Sequence, residues 1–305
     1  MSAARVVRIG TRTSSLARWQ TRFIAGLLSK RHPGLRAEII PIVTAGDRDA
    51  NTPLPRIGGK GVFTEELELA LREGSIDLAV HSLKDLPVEP SPELELVVAG
   101  PRADPRDVLV ARQQVTLATL PPRATVGTCS TRRTVQLRAA RPDLTIVPLR
   151  GNIDTRVRKA REGLYDAILL AAAGVDRLEL TALVRERLPL EVMLPAPGQG
   201  ALAIQYRSGD RATRELSQPL NDAAVAAAAA AERSFLAGLG GGCDAPIAAC
   251  AAVRGENLSL AGLVASPAGH VVIRLSLAGP AHDADGLGAR LADLAMTHGA
   301  AELVA

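Results

Sequence analysis

Two periods of apolar residues alternate along the first hundred positions. The short run "RVVRIG" (5–10) predicts a strand. Leu16, Trp19, Gln20, Phe23 and Leu27 then fall roughly on one face at helical spacing, and Pro33-Gly34 supplies the stop. "RAEIIPIVT" reads as the next strand. The stretch "AGDRDANTPLPRIGGKG" is polar and rich in Pro and Gly, a long loop of the kind usually functional or mobile. "TEELELALREG" is a helix with acids in its first turn, and "DLAVHS" is a short buried strand. Strands alternating with helices predict a parallel sheet in an α/β domain.

The Pro-rich junction "PRADPRD" (101–107) is a candidate hinge, and a second α/β unit follows it. Its strands are "ATVGT", "LTIVPLR" and "YDAILLAAAG", the last entering another helix, and its other helices are "STRRTVQLRAARPD" and "NIDTRVRKAREG". "LPAPGQGALAIQYR" (194–207) reads as a linker into one more strand that returns to the first domain. An Ala-rich helix follows, capped by Asn221 or Asp222 and ended by Gly240–Gly242. Three alternating segments to about Leu277 and a helix over Ala284–Thr297 make a small α+β domain. The expected domains are 1–100 with 201–218, 105–194, and 221–305.

At 305 residues the chain can bury more than one core. Only 2% of residues are aromatic, so those cores are built from Ala, Leu, Val and Ile. No apolar run approaches the ~20 residues a membrane span needs. "MSAARVVRIG" has no signal-peptide pattern, so a cytoplasmic protein is expected. Cys129, Cys243 and Cys250 are an odd set without a C-x-x-C pair, which argues against a disulfide framework and a zinc site. Four lysines accompany thirty-two arginines. Residues 1–218 carry a net +8 and residues 219–305 a net −4, so the positive excess lies in the first two thirds. Arginine is suited to bidentate binding of carboxylate or phosphate, which makes an anionic ligand plausible there. Nucleic acid is disfavoured by the scarcity of stacking aromatics and the lack of a binding motif.

Candidate chemistry clusters after strands, where helices begin. Arg12, Ser14 and Ser15 lie in "GTRTSS", and Ser130, Arg132 and Arg133 in "GTCSTRR". Arg150 ends "VPLR", and Arg156 falls a turn into the next helix. Helix N-termini suit anions, and α/β sheets bind ligands beyond the C-terminal ends of their strands. Any one of these arginines alone is more often a solvated side chain. In "AVHSLKDLP", Lys84 and Asp85 follow a strand end, where a lysine and a carboxylate can hold an anionic substrate and move protons. His81 reads as a packed or N–H-bonded strand residue, Cys129 as a packing residue and Cys250 as core. Lys60 sits among glycines in "IGGKGVF", a basic lid segment that is not a Walker loop. "LGGGCDAPIA" places Cys243 after three glycines, with no base beside it in sequence.

Together these segments resemble the porphobilinogen deaminase family. The likeness runs through "IGTRTSSLARWQ", "GGKGVFTEELE", "DLAVHSLKDLP", "DPRDVLV", "VGTCSTRR", "LRGNIDTR", "YDAILLAAAGVDRL", "LPAPGQGALAI" and "GGCDAPIA", covering nearly the whole chain. It implies two lobes of the type II periplasmic-binding-protein kind flanking a cleft, plus a small third domain. It implies an enzyme joining four molecules of porphobilinogen head to tail into hydroxymethylbilane, releasing ammonia each time. A dipyrromethane cofactor, bound by a thioether at Cys243, is implied as the primer. Asp85 is implied as the catalytic group, stabilising the cationic azafulvene and handling pyrrole N–H protons. Lys84, Ser130, Arg132 and Arg133 are implied as cofactor-binding, and Arg12, Ser14, Arg150, Arg156 and Lys60 as substrate-binding. A monomer without metal, nucleic acid or membrane is expected. Cys129 and Thr131 depart from the Ser and Leu of the family pattern, and Arg56 from a frequent Lys. The competing expectations are a non-catalytic two-lobe anion binder and, on charge alone, a nucleic-acid or partner-binding protein.

Overall fold

The structure is a computed structural model that describes residues 6–48, 64–89, 91–241 and 245–304. The chain opens with β1 (Val6–Arg12), α1 (Ser15–Arg31), β2 (Arg36–Ile42) and the single turn α2 (Ala45–Arg48). It continues through α3 (Glu65–Arg72), β3 (Leu78–Ser82) and β4 (Leu94–Ala99). Next come β5 (Asp107–Val110), β6 (Thr125–Gly127), α4 (Thr131–Ala140), β7 (Thr145–Val147) and α5 (Ile153–Arg161). These lead to β8 (Ala167–Ala171), α6 (Ala172–Arg177) and β9 (Val184–Arg187). β10 (Leu202–Arg207), α7 (Arg211–Ser217) and α8 (Ala223–Gly238) follow, then β11 (Ile247–Arg254), β12 (Asn257–Ala265) and β13 (Val272–Pro280). α9 (Ala284–Thr297) and the turn α10 (Ala301–Val304) end the chain. Among the described residues no helix is long and apolar enough to cross a membrane.

The chain forms two compact units, 1–102 with 201–226 and 103–200 with 227–305. The first contains one sheet of order β2-β1-β3-β10-β4. β1, β2 and β3 run parallel, and β10 inserts antiparallel between β3 and β4, so the expected return strand is real. Its core joins Ile9, Leu78, Val80, Ile204 and Tyr206 of the sheet to Ile24 and Leu28 of α1. Each such full burial is worth about 2 kcal/mol relative to exposure. Ser14 caps α1 by accepting from the Ala17 N–H at 3.3 Å.

The second unit repeats that sheet order as β7-β6-β8-β5-β9, with β5 antiparallel to β8. In both sheets the strand next to the third parallel strand is antiparallel and comes from a chain crossing between the units. That order is of the type II periplasmic-binding-protein kind. The fold class is therefore α/β with two such sheets, plus a small α+β part. In that part β11-β12-β13 form an antiparallel meander packed with α8 and α9. The expected second and third domains share an apolar cluster of Val135, Leu194, Ala248, Leu263 and Ala265.

Differences from expectation are local. The start of the loop at 45 winds into α2, because Asp47 accepts from the Thr44 hydroxyl at 2.9 Å. Cys129, expected to pack, is exposed. It lies in the short link between β6 and α4, beyond the sheet that buries Val126 and Gly127. Cys250 is half-buried against the shared apolar cluster.

Candidate active site

In the first unit the parallel pairing of β1 and β3 puts their C-terminal ends on one edge of the sheet. Arg12 is the last residue of β1, and Ser14 caps α1 two residues later. Lys84 and Asp85 occupy a 3-10 turn (Leu83–Asp85) directly after β3. Gln20 of α1 donates to the Ser82 hydroxyl at 2.8 Å and ties the helix to this strand end. Leu83 is 1% exposed and roots the turn in the core. Asp85 is half-buried, and its carboxylate has no hydrogen bond or ion pair among the described residues. A carboxylate placed this way is open to a ligand cation or N–H donor.

Arg12 is engaged from the side. Its Nε and Nη2 donate to Asp47 at 3.2 and 2.6 Å. Burial pushes the Asp47 carboxyl up, but Arg12 and Thr44 outweigh it and hold the group below its usual range. His81, on β3, is 5% exposed, and its Nε2 has no hydrogen-bond partner. Burial pushes its imidazole down to about 4; the Gln205 amide acts in the opposite sense, and Arg12 adds to the depression. It is thus a neutral packed residue, as expected.

In the second unit β6 and β7 pair in parallel, Gly127 opposite Val147, so their exits again share one edge. Ser130 caps α4, accepting from the Arg133 N–H at 3.4 Å. Arg132 and Arg133 are 5% and 6% exposed and share the buried carboxylate of Asp107. Arg132 Nη1 reaches Asp107 Oδ2 at 2.7 Å, and Arg133 Nη2 reaches Oδ1 at 2.7 Å. Burial raises the Asp107 carboxyl, and the two guanidiniums overcome it and hold it far below the usual range.

Arg150 follows β7, and its Nη1 is buried without a hydrogen-bond partner. A buried guanidinium nitrogen left unpaired is costly, and an anionic ligand would satisfy it. Arg156, in the first turn of α5, donates from Nε to the Gly151 carbonyl at 2.6 Å. Lys60 and Cys243 lie outside the described residues. The flank of Cys243 is described. Gly240 has φ +64°, and a Cβ on Gly241 would meet Ile247 and, at 2.8 Å, Leu236. Two of the three glycines therefore have a steric reason, one by left-handed backbone and one by close approach.

Three residues at these edges went unnoticed in the sequence. Asp47 carries no local signal. Asp107 is a carboxylate opening an apolar strand, "DVLV", which is itself a warning of buried pairing. Arg177, at the end of α6, donates to the Gly200 carbonyl at 2.8 Å, and burial pulls it down to about 10.

Comparison with known proteins agrees with the resemblance. The family model for the porphobilinogen deaminase dipyromethane cofactor binding domain matches residues 7–215, and that for the C-terminal domain matches 226–296. The porphobilinogen deaminase of Roseiflexus castenholzii is 50% identical over 297 residues, 97% of this chain and 98% of that protein. That of Syntrophotalea carbinolica is 48% identical over 299 residues, 98% and 95% of the two chains. Among solved structures, the Bordetella pertussis BvgS periplasmic VFT2 domain aligns at TM-score 0.43 and 18% identity, covering 71% of this chain and 86% of that one. The fold assignment rests on strand order and not on that alignment.

Proposed function

The chain belongs to the porphobilinogen deaminase family, and from that premise we infer which of its residues perform the reaction. The enzyme is a transferase of tetrapyrrole biosynthesis, hydroxymethylbilane synthase, which couples four porphobilinogen molecules and releases ammonia at each step. The dipyrromethane cofactor primes the chain. Each coupling breaks the aminomethyl C–N bond of one pyrrole, forms a C–C bond to the free α-carbon of the chain end, and returns that carbon's proton to solvent or base.

The observation that carries the assignment of roles is Asp85. It is a half-buried carboxylate at a strand end with no partner among the described residues. Placed beside a pyrrole ring, it holds the ring N–H and lowers the energy of the cation that develops as ammonia leaves. Lys84, its neighbour in the same turn, supplies a cation for ring carboxylates. Arg12 and Ser14 on the first unit, and Arg150 and Arg156 on the second, bind acetate and propionate groups of incoming rings. Arg150's unpaired Nη1 is the strongest support for this use. Held carboxylates orient each ring and convert a bimolecular coupling into a positioned one.

The residues fit the cofactor. Ser130, Arg132 and Arg133 sit at a helix start, and two guanidiniums against one carboxylate leave that cluster a positive charge in excess, which acidic pyrrole side chains would balance. In this reading Cys243, in domain 221–305, forms the thioether, and Lys60 contributes from its glycine-rich segment of domain 1–100 with 201–218. The expectation of a cytoplasmic monomer is tested by sedimentation and cell fractionation. Intact mass tests the anchor: the protein carries one dipyrromethane in excess of its sequence, and Cys243→Ser abolishes that excess. An active wild type of unmodified mass would falsify the assignment. Asp85→Ala keeps the fold and the thermal midpoint while losing turnover by ~100-fold or more; near-normal turnover removes Asp85 from its role.

A further inference from the structure

The carboxylate that holds Arg132 and Arg133 is held in turn by the chain connecting the two units. Asp107 is 0% exposed, and besides the two arginines it accepts from Gln199 Nε2, at Oδ1 and 3.0 Å. Gln199 is 1% exposed and also donates to the Pro105 carbonyl at 2.7 Å. Five residues earlier, α4 grips the same connecting segment. Arg132 Nη1 donates to the Leu194 carbonyl at 2.7 Å, and Gln136 bonds Leu194 on both sides, accepting at 2.7 Å and donating at 3.0 Å. All of these groups lie within the second unit.

The division of labour on Asp107 matters. Oδ1 takes the Nε and Nη2 edge of Arg133 together with Gln199, and Oδ2 takes Arg132 by Nη1 alone. The two hydrogen bonds that the Arg132 guanidinium makes among the described residues both leave from Nη1, so they do not spend its Nε and Nη2 donors. One carboxylate does not neutralise two guanidiniums, so its stabilising effect on the protein alone is poor. Its orientation, however, fixes where both guanidinium planes point, and Gln199 is the neutral donor that fixes that orientation.

We propose that Asp107 and Gln199 are positioning residues for the Arg132–Arg133 pair, and that segment 194–200 sets the pose of the pair through Gln199 and Leu194. The inference rests on the reading of that pair as the grip on cofactor carboxylates. Asp107 itself is a poor test, because removing it strands two buried cations. Gln199→Met keeps length and volume while deleting the donor. Purified Gln199→Met, Arg133→Lys and the double variant are compared by the fraction of chains carrying dipyrromethane mass and by KM and kcat for porphobilinogen.

Gln199→Met lowers the loaded fraction, or raises KM, by about fivefold, the worth of the hydrogen bond to Asp107, and the thermal midpoint falls modestly because the Pro105 carbonyl also loses its donor. In the Arg133→Lys background the same substitution costs less than it does alone, because the part of its effect that passes through the Arg133 guanidinium is already lost. Multiplicative losses in the double variant, or a silent Gln199→Met beside a defective Arg133→Lys, overturn the inference and leave the reading of the arginines standing. A fully loaded, kinetically normal Arg133→Lys overturns the reading itself, and the inference falls with it.

Discussion

Acidification has a specific target in His81. Burial holds its imidazole down to about 4 in the folded protein, against 6.5 for the unfolded chain. A histidine depressed on folding binds fewer protons folded than unfolded between those values. Its contribution is therefore complete above pH 6.5 and is lost as pH falls toward 4. The drop corresponds to roughly 3 kcal/mol, taking ~1.4 kcal/mol for each tenfold change in proton affinity. The lowered carboxyls do not confuse this window. Asp47, Asp104, Asp107, Asp143 and Asp210 are all lowered, so the stability they supply is lost mainly below the window, and what is lost near pH 4 is common to wild type and variant. The measurement is urea unfolding of the wild type and His81→Gln at intervals from pH 7.5 to 4. The variant is uncharged at every pH, so the stability difference between the two proteins shifts against the wild type by roughly 3 kcal/mol across the window. A difference that stays constant within ~0.5 kcal/mol refutes the burial argument, since no other property of His81 depends on pH in that range.

Three further substitutions probe other links. Glu232 is 0% exposed and accepts from the Gly198 N–H at 2.6 Å and the Ala251 N–H at 2.7 Å. Glu232→Ala strands two buried donors and costs about 2–6 kcal/mol in chemical denaturation. Glu232→Gln recovers only part of this, because an amide presents one oxygen where two are used. Gly241→Ala drives a methyl into Ile247 and Leu236, costs about 1–2 kcal/mol of stability, and lowers the fraction of chains bearing cofactor mass. Arg150→Met raises KM for porphobilinogen by ~10-fold or more without lowering the thermal midpoint, since the lost Nη1 had no protein partner.

The elements that could be read from the chain were those whose apolar period runs long enough to exclude the alternative. α1 and α9 are 17 and 14 residues of helical spacing, and both lie where that spacing puts them. β4 and β5 were not anticipated, for different reasons. β4 is an edge strand whose run "LELVVA" mixes exposed acid with buried Val, and its pairing with β10 is a long-range event. β5 has four residues and follows a Pro-rich junction, so nothing local distinguishes it from the end of a loop. The matching strand of the second sheet escaped for a related reason: β5 enters antiparallel after a chain crossing, and crossings leave no mark on periodicity, whereas the return of β10 was read from the linker at 194–207.

The same boundary between local and distant information divides the site. Where a strand ends and a helix begins is local, so Arg12, Ser14, Ser130 and Asp85 were visible as candidates from spacing alone. What each charge does depends on partners 25 to 35 residues away: Asp47 for Arg12, Asp107 for Arg132 and Arg133. Those partners separate the cations into two kinds. Arg132 and Arg133 are spent on a buried carboxylate and keep one surplus positive charge between them, whereas Arg150 keeps a donor with no protein partner. A buried surplus and a buried unpaired donor are both unfavourable in the protein alone. A ligand rich in carboxylates removes both costs at once. That is why the loaded protein should be the more stable one, and why its thermal midpoint should fall in Cys243→Ser, which removes the anchor of that ligand.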